Sequence, residues 1–288
     1  MKNKNPSKFI GVDVGGTKIL LQTFDAQWKL VDEKKVFTEV KKGQAGFLKQ
    51  LIALVDEFFH PGIQSIGIAV PGIVDHQKGI LVKPPHLPVK NLKLKDILTK
   101  TFRCPIAVDN DVNAFLYAQH QRPQLQKYRH LVAVMVGTGV GGAVMIDGKL
   151  VYGKRGFAGE VGHMVLRNGS KLSTFEQNTS GLFIPKIAQE LGIKGFKPSD
   201  LANSISEVKK VKKHLIEHLG IGLSNLNLIF NPEVFVLGGS IYQHFLSGHK
   251  KELQKIIASR ALDAKSPLIL DADRRHTAAM GAGMMASK

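Results

Sequence analysis

The chain has 288 residues, of which 43% are hydrophobic and 22% charged, a length and composition that suit a globular protein of two domains. Its formal charge of +17 raises a polyanion as partner. The excess is spread over both halves, however, and its densest cluster, Lys209-Lys210-Val211-Lys212-Lys213, has the look of a solvated helix face rather than of a specific nucleic-acid site. The single cysteine, Cys104, excludes an internal disulfide and a cysteine-rich zinc site. No apolar run reaches membrane-spanning length, and the polar start Met1 to Lys8 lacks a secretion signal, so a cytoplasmic location is expected.

In chain order, two strand-like apolar runs flank the turn Gly15-Gly16-Thr17-Lys18. Leu30 to Val40 supplies a third strand. Phe47, Leu48, Leu51, Ile52, Leu54, Val55, Phe58 and Phe59 recur at helical spacing, and Pro61-Gly62 stops that helix. Ile66 to Val70 and Ile106 to Val108 are short buried strands, the second ending at Asp109-Asn110-Asp111 before a helix over Val112 to Gln119. This succession predicts an α/β domain with a mixed sheet. A second domain is expected from about residue 121 to 276. It opens with Leu131 to Val136, the turn Gly137-Thr138-Gly139-Val140-Gly141-Gly142, and a return strand over Ala143 to Ile146. That repeats the opening design and points to internal duplication. Helices over Leu182 to Leu191 and Val208 to Phe230, a strand at Val234 to Leu237 and a last strand at Leu268 to Leu270 follow. The small-residue helix from Ala278 to Ala286 is expected to complete the first domain, residues 1–120 with about 277–288.

Four features carry chemistry. Asp13 before the first glycine turn suits a metal that accompanies a phosphate, and the turn itself suits the phosphate. An ordinary β-hairpin with a solvated lysine explains the same residues. The second turn matches G-x-G-x-x-G, but an apolar strand follows where a dinucleotide fingerprint requires a helix. It therefore reads either as a second phosphate turn or as a second tight hairpin. Asp109-Asn110-Asp111 exceeds what one helix cap requires. A carboxylate at this strand end can accept a proton from a substrate hydroxyl, and a neighbouring amide can bind other oxygens. Glu160 and His163 stand three apart among glycines, too sparse for a metal site, and Glu176 is a third candidate ligand for a polyol.

Six segments then appear in a family order: Gly11 to Lys18, Val70-Pro71-Gly72, Asp109 to Ala114, Gly137 to Gly142, Gly159-Glu160-Val161-Gly162-His163, and Leu237-Gly238-Gly239-Ser240. In this the chain resembles the ROK family of sugar kinases and repressors, over nearly its whole length. The resemblance implies an actin/hexokinase-like fold, two ribonuclease-H-like domains with a central cleft, and sugar phosphorylation by ATP. It implies Asp111 as the catalytic base. Asn110, Glu160, His163 and Glu176 would bind the other sugar hydroxyls, with Gly72 supplying a backbone contact. Asp13 would position Mg²⁺ through water. Gly15, Gly16, Thr17, Thr138 and Gly139 would form the phosphate turns, and Gly238 and Gly239 would lie beside the adenosine.

Two departures qualify the resemblance. Many family members carry a cysteine-rich zinc loop after the Gly-His pair, whereas Met164 to Phe175 is shortened and has no cysteine. No structural zinc is expected, and the placing of Glu176 depends on aligning across that loop. Family repressors carry an N-terminal helix-turn-helix, for which eight residues before the first strand leave no room. The leading expectation is a glucokinase acting on the 6-hydroxyl of glucose. N-acetylmannosamine, N-acetylglucosamine or fructose as acceptor, polyphosphate as donor, and a non-catalytic sugar sensor are the alternatives. A homodimer is expected from the resemblance, and neither a membrane nor a specific nucleic acid is expected as partner.

Overall fold

The computed structural model describes residues 7–168, 171–203, 205–263 and 266–288. Most of the basic start, and Gly169-Ser170 of the shortened loop, lie outside the described residues. The chain divides into two units. Unit 1 is Met1–Gln126, Tyr152–Phe157 and Asp273–Lys288; unit 2 is Lys127–Val151 and Ala158–Ala272.

In unit 1, β1 (Phe9–Val14), β2 (Lys18–Phe24) and β3 (Leu30–Phe37) run antiparallel. Helix α1 (Gly43–Phe58) buries Phe47, Leu51, Leu54 and Val55, the helical stripe visible in the sequence. It leads to β4 (Ser65–Val70), which lies parallel to β1. Every residue of β4 is buried, as befits a central strand covered on both faces. The next stretch forms a small antiparallel sheet of β5 (Ile73–Asp75), β6 (Ile80–Lys83) and β7 (Leu92–Lys93), then α2 (Leu94–Phe102). Strand β8 (Ile106–Asn110) adds parallel to β4 and runs directly into α3 (Asp111–His120). The main sheet has the order β3-β2-β1-β4-β8.

Unit 2 repeats this plan. Strands β9 (Leu131–Val136), β10 (Val140–Ile146) and β11 (Lys149–Leu150) are antiparallel. The hairpin β12 (Val165–Asn168) and β13 (Lys171–Thr174) occupies the stretch read as a shortened loop. Helices α4 (Phe175–Thr179), α5 (Ile184–Glu190) and α6 (Ser206–Phe230) follow. Then come β14 (Val234–Gly238), α7 (Lys250–Ala258) and β15 (Leu268–Asp271). The sheet order is β11-β10-β9-β14-β15, strand for strand that of unit 1. The duplication suggested by two glycine turns is thus a duplication of topology. On α6, Val208, Val211, Leu215 and Leu219 turn inward while Lys209, Lys210 and Lys213 are exposed, so the basic cluster is a solvated helix face.

The last helix, α8 (Ala278–Ala286), packs on β1, β4 and α3 of unit 1. Its small residues make the approach possible. A Cβ on Gly11 would overlap the carbonyl oxygen of Ala279, one on Gly67 that of Ala282, and one on Gly281 that of Ala114. Thr277 caps the helix: its Oγ1 accepts the Met280 N–H at 3.0 Å and donates to Gln22 Oε1 at 2.6 Å. Among the described residues no helix is long and apolar enough to cross a membrane.

Candidate active site

The first glycine turn joins β1 to β2. Gly15 N–H donates to the Lys18 carbonyl at 2.9 Å, and Thr38 holds the turn by donating from Oγ1 to the Gly15 carbonyl at 2.7 Å. Neither Gly15 nor Gly16 has a left-handed backbone. What glycine provides at Gly16 is room, because a Cβ there would lie 2.5 Å from His86 Cβ. His86 itself is an exposed residue with φ of 61°. Thr17 and Lys18 are exposed, the latter as the first residue of β2 with its Nζ 5.5 Å from the Phe37 ring centre. Asp13 is half-buried on β1 between β2 and β4. Burial pushes its carboxyl up to about 6, and Lys35 only partly offsets this. A carboxylate held away from water favours a cation beside it.

The β8–α3 junction gathers the acids of the sequence. Asn110 ends the strand and caps the helix: its Oδ1 accepts the N–H of Val112 at 2.8 Å and of Asn113 at 3.1 Å. Its Nδ2 donates to the Gly72 carbonyl at 3.0 Å, so Asn110 and Gly72 are brought together. Gly72 has φ of 78° and no space for a Cβ against Pro85. Asp111 is the first helical residue, and its Oδ1 accepts the Val112 N–H at 2.9 Å. The helix N-terminus favours negative charge there. Asp109, one residue before the cap, is 4% exposed. Its Oδ1 accepts from Asn110 N at 2.6 Å and Asn113 Nδ2 at 3.1 Å, and its Oδ2 accepts from Tyr152 Oη at 2.8 Å. Burial raises its pKa, against the pull of those three donors. In the sequence Asp109 stands out only as a member of Asp109-Asn110-Asp111, with no role of its own. Its partner Tyr152 lies 43 positions away and carries no local signal.

In unit 2 the second glycine turn closes with a Gly137 N–H bond to the Gly139 carbonyl at 3.0 Å and is followed by strand β10, which excludes a dinucleotide fingerprint. The turn is fastened from outside by Gly181 N–H to the Gly137 carbonyl at 2.8 Å and Leu182 N–H to the Thr138 carbonyl at 3.0 Å. Glu176, on α4, places Oε2 2.9 Å from the Val140 N–H and directly against Gly139. Thr138 itself is exposed. Beside this turn, β14 ends in Gly238, paired with Met135 of β9. Gly239 follows with φ of 88°, too close to the Val136 carbonyl for any side chain. Ser240 Oγ would stand 3.6 Å from a Cβ on Gly137. The structure thus joins Gly137–Gly139 with Gly238–Ser240 at the carboxyl ends of two adjacent parallel strands, where α/β sheets bind ligands. Glu160 precedes and His163 ends a short helical turn, their Oε2 and Nε2 3.9 Å apart, with the His163 side chain 81% exposed.

No three His, Cys, Asp or Glu side chains among the described residues converge as a metal site. Mg²⁺ does not require one, since it takes one or two carboxylates and completes its shell with phosphate oxygens and water. Asp13, half-buried beside a turn whose Gly16 has room for no side chain, fits that pattern.

A duplicated mixed five-stranded sheet, with glycine turns after the first strand of each copy and an acid–amide junction after the last strand of the first, defines an actin-fold protein of the hexokinase-like class. The profile of the ROK family matches residues 9–288, and the chain belongs to that family. A xylose repressor of Caldicellulosiruptor bescii is 27% identical over 292 residues, covering 91% of this chain and 73% of that protein. A glucokinase of Halalkalibacterium halodurans is 26% identical over 265 residues, covering 81% of this chain and 80% of that one. Among solved structures, the ROK hexokinase from Thermus thermophilus superposes with a TM-score of 0.82 at 25% identity, covering 96% of this chain and 97% of that chain. The chain is therefore a ROK sugar kinase or repressor.

Proposed function

We propose that the chain is an ATP-dependent hexose kinase that phosphorylates the 6-hydroxyl of glucose. The observation that carries this reading is the β8–α3 junction, where Asp111 stands at a helix N-terminus beside an Asn110 tied to Gly72. Phosphoryl transfer asks for in-line positioning, charge neutralisation and one base for the attacking hydroxyl. Asp111 takes the proton of that hydroxyl. Asn110 keeps one amide hydrogen beyond its bond to Gly72 for a neighbouring sugar oxygen. Glu160, His163 and Glu176 serve the remaining hydroxyls, and Gly72 offers backbone contact. Gly15, Gly16, Thr17, Thr138 and Gly139 hold phosphates, and Gly238 and Gly239 lie against adenosine. Mg²⁺, held by Asp13 through water, would neutralise phosphate charge. The domains of this reading are residues 1–120 with 277–288, and 121–276. A homodimer in the cytoplasm completes it.

Similarity to a xylose repressor supports a second reading, a sugar sensor without catalysis. One assay separates the two: sugar-dependent ADP release over glucose, fructose, N-acetylmannosamine, N-acetylglucosamine and xylose, run beside calorimetric sugar binding. Glucose turnover that disappears in Asp111→Asn, with binding retained, is the expected result. Sugar binding without ADP release overturns the kinase reading. A parallel run with polyphosphate tests the donor, because the +17 charge also suits a polyanion.

A further inference from the structure

We propose that Tyr152 is a positioning residue for the base Asp111, acting through the buried carboxylate of Asp109; this rests on the kinase reading above. The segment Tyr152–Phe157 belongs to unit 1 although the chain on either side of it belongs to unit 2. Contacts within unit 1 hold it there. The Tyr152 ring stacks on His76, with centroids 3.5 Å apart and planes 10° from parallel. Gly156, with φ of 75°, sits against the Val74 carbonyl at a distance that admits no side chain. The Tyr152 hydroxyl donates to Asp109 Oδ2 at 2.8 Å.

The other oxygen of that carboxylate bonds groups on either side of the base. Oδ1 accepts the N–H of Asn110, which precedes Asp111, and the side-chain amide of Asn113 in the first turn of α3. Asp109 therefore fixes the plane of the peptide leading into the cap and the rotation of the first helical turn. A buried carboxylate keeps one orientation only while both oxygens are satisfied. Removing the tyrosine hydroxyl leaves Oδ2 buried without its donor. The carboxyl then protonates or rotates, and either response alters the grip of Oδ1 on Asn110 and Asn113. Asp111 is displaced, whereas the Asn110 side chain stays held by the Gly72 carbonyl and by the Val112 and Asn113 N–H groups, and Glu160, His163 and Glu176 are not touched. The phenol is itself raised above its ordinary pKa by burial and by Asp109, so it remains a donor throughout the working pH range.

The test uses the full chain and three variants: Tyr152→Phe, Asp109→Asn and the double variant. Phenylalanine keeps the stack on His76 and removes only the hydroxyl. With the best hexose and ATP, Tyr152→Phe is expected to lower kcat about tenfold while the sugar Kd and both KM values stay within about twofold. Asp109→Asn is expected to lower kcat as well, and the double variant to fall no further than the worse single, as for residues acting in one chain. A Tyr152→Phe enzyme with wild-type kcat overturns the proposal, as does a raised sugar KM at unchanged kcat. Multiplying effects in the double variant overturn it too. If Tyr152→Phe does not fold, Asp109→Asn decides alone: unchanged kcat rejects the proposal. A wild-type protein without sugar-dependent ADP release rejects the kinase reading and this inference together, whereas turnover lost in Asp111→Asn but kept in Tyr152→Phe rejects the inference alone.

Discussion

Glu176 Oε2 accepts the Val140 N–H at 2.9 Å, so a carboxylate from α4 braces the end of the second glycine turn. The same side chain is the third candidate sugar ligand, and its two oxygens permit both tasks. Glu176→Gln keeps an acceptor for Val140 but turns the other oxygen into a donor. It is expected to raise the sugar KM several-fold and leave the ATP KM within about twofold. Glu176→Ala removes both functions and is expected to raise both KM values. Steady-state kinetics with each substrate varied in turn checks this. An ATP KM unmoved in the alanine variant would mean that the brace does not matter to the turn.

Gly281 lies inside α8, where alanine would ordinarily favour the helix by about 1 kcal/mol. Here its Cβ would overlap the Ala114 carbonyl of α3. Backbone cannot move aside as a flexible side chain can. Gly281→Ala is therefore expected to destabilise unit 1 by about 2 kcal/mol or more, read as a lower urea midpoint. A midpoint at or above that of the wild type would show that α8 can shift outward at little cost.

The Thr277 hydroxyl has two partners among the described residues, the Met280 N–H that it caps and the Gln22 amide oxygen on β2. Thr277→Ala removes both and is expected to cost about 1–2 kcal/mol. Thr277→Ser keeps both and is expected to stay within about 0.5 kcal/mol of wild type. Equal losses in the two variants would assign the effect to the methyl group instead.

The legible parts of the chain were those in which the signal and its cause are close in sequence. Apolar runs fixed in register by glycine turns became β1, β2, β9 and β10, and the Asp-Asn-Asp stretch became a strand end and a cap because both roles are local. The β5-β6-β7 sheet gave little sign of itself, since its strands are two to four residues long and too short for periodicity. Helix α7 buries only Leu253 and Ile257 within a lysine-rich stretch, a face too narrow to stand out. In the first turn, what requires glycine at Gly16 is contact with His86, a tertiary cause that the local sequence does not show. The tie between Tyr152 and Asp109 spans 43 positions and rests on tertiary placement alone.

His214 provides a pH dependence whose sign follows from its surroundings. It lies half-buried on α6, its ring stacked on His218 with centroids 4.0 Å apart. Burial, aided by His218, pushes its pKa down to about 4. The unfolded chain keeps the ordinary value near 6.5. Between these values the unfolded state binds a proton that the folded state refuses, so stability rises with pH in this window. The contribution is complete above about pH 6.5 and is lost as pH falls toward 4. Its Nε2 is buried with no hydrogen-bond partner among the described residues, which explains why the charged form is refused. His214→Phe keeps a ring against His218 and removes the titration. Urea midpoints at pH 7.5 and pH 5 are expected to lie closer together in this variant than in the wild type. An undiminished drop at pH 5 would show that other groups govern the acid limb.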